Sequence, residues 1–179
     1  MIFSLPDSVT VSGMEYPIRT DFRVILEIFV MLDDPDLSDA DKTEALLRMF
    51  YTERPPDPEL ALQAFTDFVD PRHGSQGKKS SGRLIDWQQD FDLMVAPINH
   101  ILGFECRAAE YLHWRTFLSA YLEIPPESVF ARVLRIREKL RTGKKLEKNE
   151  RSWYNKNRDL VHLKPKFSRA EEEIINGWT

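Results

Sequence analysis

The sequence holds a single cysteine, Cys106, and only seven glycines among 179 residues. One thiol excludes an internal disulfide framework and any cysteine-based zinc cluster. So few glycines argue against phosphate-cradling loops and against a turn-dense β-sandwich. No apolar run reaches the roughly 18 residues that span a bilayer, and Met1–Pro6 lacks the basic start of a signal peptide. A soluble intracellular protein is expected. Core material, by contrast, is plentiful: 42% of residues are hydrophobic and 11% aromatic, beside an ordinary 30% charged. That composition argues against wholesale disorder. A chain of this length buries about 70% of its unfolded surface and needs no metal or crosslink to hold it.

The net charge of −4 conceals a division. Residues 1–71 carry fifteen Asp/Glu against five Lys/Arg, and residues 72–179 carry fourteen against twenty. Such a split suits a site for a charged partner, weak head-to-tail self-association, or two halves attracting each other within one fold.

Local signals place the elements. Val9–Val11 and Met14–Tyr16 flank Ser12-Gly13 as a short hairpin, with Pro17 limiting the second strand. Phe22, Ile25, Leu26, Phe29 and Val30 then fall at helical spacing. Ser38 caps a second helix with Leu46, Leu47, Phe50 and Tyr51 on its apolar side. Asp57-Pro58 opens a third, with Leu60, Ala61, Ala64, Phe65 and Phe68 as its stripe. The stretch 72–83, with three glycines, three serines and no large apolar residue, reads as a mobile linker or loop. It is compatible with a boundary between two domains and with a loop inside one.

Beyond it, Asp86 caps a helix toward Leu102 that Pro97 should kink or split and Gly103 should close. Ala108–Leu122 is apolar nearly all round and reads as a central helix. Ser128 opens another, with Val129, Val133, Ile136 and Leu140 on one face and Gly143 just past its end. A polar helix over Leu146–Asp159 follows, then a short one opened by the capping box Ser168–Glu171. The expected fold is mainly α: a bundle of about seven or eight helices with a small N-terminal β-hairpin. The hairpin and an acidic helical half occupy 1–71, and a basic helical half occupies 84–179, packed with the first as one domain.

A search for chemistry yields no catalytic constellation. Glu110 and His113 form a Glu-x-x-His pair, half of a carboxylate-bridged metal site, but no second pair occurs. A buried, hydrogen-bonded His113 is expected instead. Asp86, Asp90 and Asp92 cluster as two-metal nuclease carboxylates do, yet Asp86 and Asp90 also suit the positive end of a helix dipole. Arg107 beside Cys106 could lower the thiol pKa, but no base partners it. The expectation is a non-enzyme without metal or cofactor. More substantial is the basic stretch Arg132, Arg135, Arg137, Lys139, Arg141, Lys144, Lys145 and Lys148, opposed by Glu138 and Glu147. Arg132, Arg135 and Lys139 share a helical face opposite the apolar stripe. With Lys144 and Lys145 they are the candidate partner-binding residues. Such a face could also track phosphates, though a solvated or docked face is the commoner outcome.

Residues 86–123 carry a familiar pattern. Asp86-Trp87-Gln88-Gln89-Asp90-Phe91-Asp92, Ala96-Pro97-Ile98-Asn99, Leu102-Gly103 and Glu110-Tyr111-Leu112-His113-Trp114-Arg115-Thr116-Phe117-Leu118 resemble the phage "gene product fifteen" family. Gly143–Lys148, Tyr154, Leu5-Pro6 and the stretch Tyr16–Arg23 extend the likeness over most of the chain. Asp86, Trp87, Asp90, Phe91, His113, Trp114 and Phe117 form the core of its motifs. Arg115 departs from the pattern, standing where members often carry a second aromatic, and is expected to face the C-terminal segment or a partner.

The resemblance implies tail morphogenesis in long-tailed phages and prophages. Genes of this family usually lie between those for the major tail protein and the tape measure protein, the position of tail assembly chaperones. The implied partners are the tape measure protein and, beside it, the tail tube protein or a companion chaperone. The implied location is the cytoplasm of an infected or lysogenic bacterium. Two other readings stand beside it: a structural tail or head-tail component retained in the virion, and a small nucleic-acid-binding regulator using the Arg132–Lys148 face.

Overall fold

The structure, a computed structural model, describes residues 4–70 and 83–176. Among them are nine α-helices and one two-stranded antiparallel hairpin, so the protein is mainly α. The chain divides into two compact units. The first comprises Met1–Lys79, Tyr111–Phe117 and Lys166–Thr179, and the second Ser80–Glu110 and Leu118–Pro165. Of the 72–83 segment, only Arg83 lies within the described residues.

In the first unit, β1 (Ser8–Val11) and β2 (Met14–Pro17) pair with Val9 opposite Tyr16. Ser12 and Gly13 turn between them with φ of 52° and 81°, the positive pair that a tight two-residue hairpin turn demands. Pro17 pairs with Ser8 at a position that asks no N–H of it, and the Ile18 N–H beyond it still donates to the Asp7 carbonyl at 3.0 Å, so the proline does not cut the pairing short. Helix α1 (Phe22–Leu32) starts where the Asp21 carboxylate accepts the Arg23 N–H at 2.9 Å. Its buried residues are Phe22, Ile25 and Ile28, so the inward stripe is rotated from the expected one, and Leu26, Phe29 and Val30 are only half-buried. Helix α2 (Asp39–Phe50) is capped by Ser38 and buries Leu46, Leu47 and Phe50. Helix α3 (Pro58–Val69) is capped by Asp57 with Pro58 in its first turn. It buries Ala61, Phe65 and Phe68, while Leu60, expected in that stripe, is 48% exposed. Helix α2 packs on α1, and α3 packs on α2 and β1.

The apolar helix expected over Ala108–Leu122 begins only at Trp114. Cys106–Ala108 form a single 3-10 turn, and the chain then runs extended to His113. There Phe22 N–H donates to the Leu112 carbonyl at 2.9 Å, Trp114 N–H donates to the Thr20 carbonyl at 2.6 Å, and Asp21 bridges His113 in antiparallel fashion. These backbone groups are satisfied by residues far away in sequence, and a helix through 108–113 would have withdrawn them from that pairing. Helix α5 (Trp114–Leu122) supplies Trp114 and Phe117 to an aromatic core. Phe117 stacks on Phe22 with centroids 4.6 Å apart, and the Trp114 ring lies 5.7 Å from Phe29. The Trp114 indole N–H donates to the Val69 carbonyl at 3.1 Å, which satisfies the one polar atom this large ring buries.

In the second unit, α4 (Trp87–Leu102) runs from its Asp86 cap as one helix; Pro97 does not split it, and Gly103 ends it at φ 77°. Helix α6 (Val129–Arg141) is capped by Ser128 and closes at Gly143, φ 68°. Lys144 N–H reaches the Lys139 carbonyl and Gly143 N–H the Leu140 carbonyl, the paired bonds of a Schellman ending. Phe130, Val133, Ile136 and Arg137 are its buried residues, while Val129 and Leu140, expected on the apolar face, are 46% and 40% exposed. The helix expected over Leu146–Asp159 is two, α7 (Lys148–Lys156) and α8 (Arg158–Val161). It breaks at Asn157, whose side-chain amide donates back to the Trp153 carbonyl at 2.8 Å and so competes with the helical ladder. Ile136, Leu146 and Val161 form a buried cluster with Trp153 and Tyr154 packed against it. Helix α9 (Arg169–Asn176), which belongs to the first unit, opens on the reciprocal Ser168–Glu171 bonds of its capping box.

Candidate functional site

The basic face of α6 is less free than its spacing suggests. The Arg132 guanidinium lies 5.4 Å from the Trp153 ring centroid, and Arg135 donates to the Pro126 carbonyl at 2.7 Å. The Lys139 ammonium donates to both oxygens of Glu150, each at 2.7 Å. That pairing also holds the Glu150 carboxyl below the usual range, Lys139 being the first cause and the Glu147 backbone N–H the second. Lys144 and Lys145 remain exposed.

Arg137, counted with that stretch in the sequence, is buried and does something different. Its Nη1 and Nη2 donate to the two Asp90 oxygens at 2.6 and 2.9 Å. Its remaining N–H groups donate to the carbonyls of Val161 (2.6 Å), Leu84 (2.9 Å) and Leu160 (2.8 Å). All five donors of the guanidinium are therefore used. Asp90 also accepts the Asp86 N–H at 2.9 Å. One buried ion pair thus joins α4, α6, α8 and the chain entering α4. Nothing in the sequence distinguishes Arg137 from its basic neighbours except its place beside Ile136 and Val133 on the apolar side.

The three acids near α4 have separate employments. One oxygen of Asp86 accepts the Gln88 and Gln89 N–H groups, both at 2.8 Å, and its carboxylate also pairs with Arg83. Asp90 pairs with Arg137, and the Asp92 side chain is 90% exposed at 3.9 Å from Arg107. The remaining motif residues divide by burial: Trp114, Phe117 and His113 are buried, and Trp87 and Phe91 are half-buried. His113 precedes α5 and caps it, Nδ1 accepting the Arg115 N–H at 2.9 Å. A ring nitrogen that accepts leaves its partner to carry the proton, so Nε2–H donates to the Pro6 carbonyl at 2.9 Å. Glu110 lies exposed on the extended segment, so the Glu-x-x-His pair has no helix face to share.

Burial pushes the Cys106 thiol pKa up, with Glu105 adding to the rise, and this outweighs the lowering by Arg107. Arg115 sits with its guanidinium 5.2 Å from the Phe68 ring centroid of α3 and feels the charge of Asp70 just beyond that helix. Among the described residues no three His, Cys, Asp or Glu side chains are grouped to hold a metal ion, and no helix is long and apolar enough to cross a membrane.

A concave surface that the sequence did not single out lies within the first unit. It is an open groove of about 410 Å3 along α1, α2 and α3. Leu32, Leu46, Leu62 and Phe65 supply apolar walls, with Asp39 and Lys42 among the polar lining. Geometry of this kind accepts an amphipathic helix by its apolar side.

The chain is thus mainly α, with a partly apolar groove in its first unit and an uneven spread of charge. Comparison with protein families gives it a place: the family described as Bacteriophage Gp15 protein matches residues 1–163, and the chain belongs to that family. No curated protein and no solved structure matches it.

Proposed function

We propose that this chain is a tail assembly chaperone that covers the tape measure protein in the cytoplasm of the infected or lysogenic host. The reading is non-enzymatic: the chain binds and shields, and no bond is made or broken. The observation that carries it is the groove along α1, α2 and α3, whose apolar walls and charged lining suit one face of a long amphipathic helix. Family membership supports a phage protein, and the gene position implied by the resemblance supports a tail role. Burial of apolar surface supplies most of the affinity, while exposed charges such as Lys144 and Lys145 set orientation and rate. The tail tube protein or a companion chaperone would join the same complex.

Co-expression tests the reading. The tape measure protein should be insoluble alone and soluble beside this chain. Thr66→Arg, which places a long charged side chain at the groove from an exposed position, should abolish that rescue without unfolding the protein. Lys144→Glu with Lys145→Glu should slow binding more than weaken it. Arg132, Arg135 and Lys139 are poorer choices, since reversing Lys139 would set a carboxylate against Glu150. A tape measure protein equally soluble with and without this chain ends the proposal. Recovery of the chain in purified virions at tail stoichiometry favours a structural component, and steeply salt-dependent DNA binding favours a regulator.

A further inference from the structure

Residues 1–71 contain only five Lys/Arg: Arg19, Arg23, Lys42, Arg48 and Arg54. Three of these five, Arg19, Arg48 and Arg54, converge on one half-open pocket of about 300 Å3, walled by Leu47, Tyr51 and Thr52. Arg48 lies in the last turn of α2 and Arg54 just beyond its end. Arg19 follows β2, and its Nη1 donates to the carbonyls of Arg48, Met49 and Tyr51 at 2.8, 3.0 and 2.6 Å. Those carbonyls are the orphaned acceptors at the C-terminal end of α2, so they fix the guanidinium in place. Its Nε and Nη2 make no bond among the described residues.

Arg48 and Arg54 come together over Glu44, with Arg54 Nη1 at 2.8 Å and Arg48 Nε at 3.7 Å. Glu44 marks the chemistry this arginine pair accepts, since a carboxylate already sits on it. The four side chains carry a net charge of +2, so one or two further carboxylates would be balanced. Leu47 and Tyr51, each 2% exposed, give the site a firm floor.

The identity of the anion follows from the surroundings. Apart from these four side chains, residues 1–71 carry fourteen acids against two bases. A nucleic acid, with one charge about every 1.7 Å of duplex axis, would be repelled by that field along its length. A peptide presenting one or two carboxylates meets the arginines and little else.

We propose that the Arg19–Arg48–Arg54 pocket binds a short carboxylate-bearing segment of a protein partner. This goes beyond the chaperone reading and stands without it, since the α1–α2–α3 groove takes no part.

Fluorescence anisotropy of the full chain with a rhodamine-labelled Gly-Leu-Glu-Glu-Leu-Gly peptide tests it, beside the Gln-Gln counterpart and a labelled oligothymidylate. The Glu-Glu peptide should bind saturably, and the Gln-Gln peptide about tenfold more weakly or not at all, because charge-assisted forks are lost. Arg48→Gln and Arg54→Gln should each weaken binding several-fold with an unchanged melting temperature, their side chains being 80% and 59% exposed. Arg19→Gln is the riskier variant because it also uncaps α2, so the other two decide the outcome. Equal binding of both peptides, indifference to Arg48→Gln and Arg54→Gln, or no saturable binding overturns the proposal. So does tighter, arginine-dependent binding of the oligothymidylate, which would make this a phosphate site.

Discussion

Replacing both members of the Arg137–Asp90 pair by apolar residues should not restore stability, although buried ion pairs elsewhere often tolerate that exchange. Arg137→Met alone strands a carboxylate that is 1% exposed, together with the carbonyls of Leu84, Leu160 and Val161. The expected cost is about 3–5 kcal/mol, as for other broken buried pairs. Asp90→Leu alone strands the guanidinium and should cost about as much. The double variant removes both charges, yet those three carbonyls and the Asp86 N–H, bonded to Asp90, still lose their partners. If only two of the four find no substitute, the double variant stays roughly 2–6 kcal/mol below the natural protein, at about 1–3 kcal/mol per orphaned group. The single costs should therefore sum to more than the double cost, with a clear residue remaining. Urea unfolding followed by far-ultraviolet circular dichroism and by tryptophan fluorescence measures all three, since Trp87 and Trp153 report from this unit. A double variant as stable as the natural protein would refute the idea that Arg137 matters through the carbonyls it gathers.

Other perturbations have equally direct outcomes. His113→Asn should keep the cap on α5 and lose the Pro6 bond, whereas His113→Ala loses both. The alanine should thus be worse by about 0.5–2 kcal/mol, the usual worth of a cap, and equal melting temperatures would remove the capping role. Burial pushes the Tyr51 phenol up to about 12, and its hydroxyl donates to the Ala61 carbonyl at 2.8 Å. A raised pKa contributes stability that is intact below the unfolded phenol value near 10 and is lost as pH rises through about 12. Alkaline unfolding should accordingly be milder in Tyr51→Phe, and spectrophotometric titration should show this variant one late phenol short, with Tyr121, also pushed up by burial, still titrating late. Glu105 is held at about 2, chiefly by its bonds with Arg107. Its contribution is present above the ordinary carboxylate range and fades as pH falls through about 2. Carboxyl carbon NMR should find it ionised at about pH 3 and titrating higher in Arg107→Gln, though still held down by the backbone N–H of residue 107 and the Asn99 amide.

The parts of this fold that the sequence made legible are those decided within a few residues. Ser38, Asp57, Asp86 and Ser128 cap the helices that follow them, and Gly103 and Gly143 end theirs, because a cap needs only its own first or last turn. The hairpin was readable from Ser12-Gly13 for the same reason. Residues 108–113 were misread because their partners at Thr20–Phe22 are distant, and an apolar run looks alike in a helix and in a buried extended segment. Leu60, Val129 and Leu140 were placed inward because each lies at the edge of a stripe, where a small rotation of the helix decides exposure. The groove and the arginine pocket were not legible, since each is assembled from elements that no local pattern relates.

The Trp114–Val69 hydrogen bond also sets a schedule. It spans 45 residues, and the ring that donates it fills the aromatic core of the first unit. At roughly 5–20 residues per second of synthesis, the hairpin and α1–α3 wait about 2–9 seconds after Val69 is made before Trp114 exists. During that interval Phe22, Phe29, Phe50 and Phe65 have an incomplete core to enter. The nascent chain is then most exposed to proteases and to its own neighbours on the polysome. Slow codons between 70 and 114 would lengthen that wait, and the unit closes fully only when Lys166–Thr179, its last segment, has also been made.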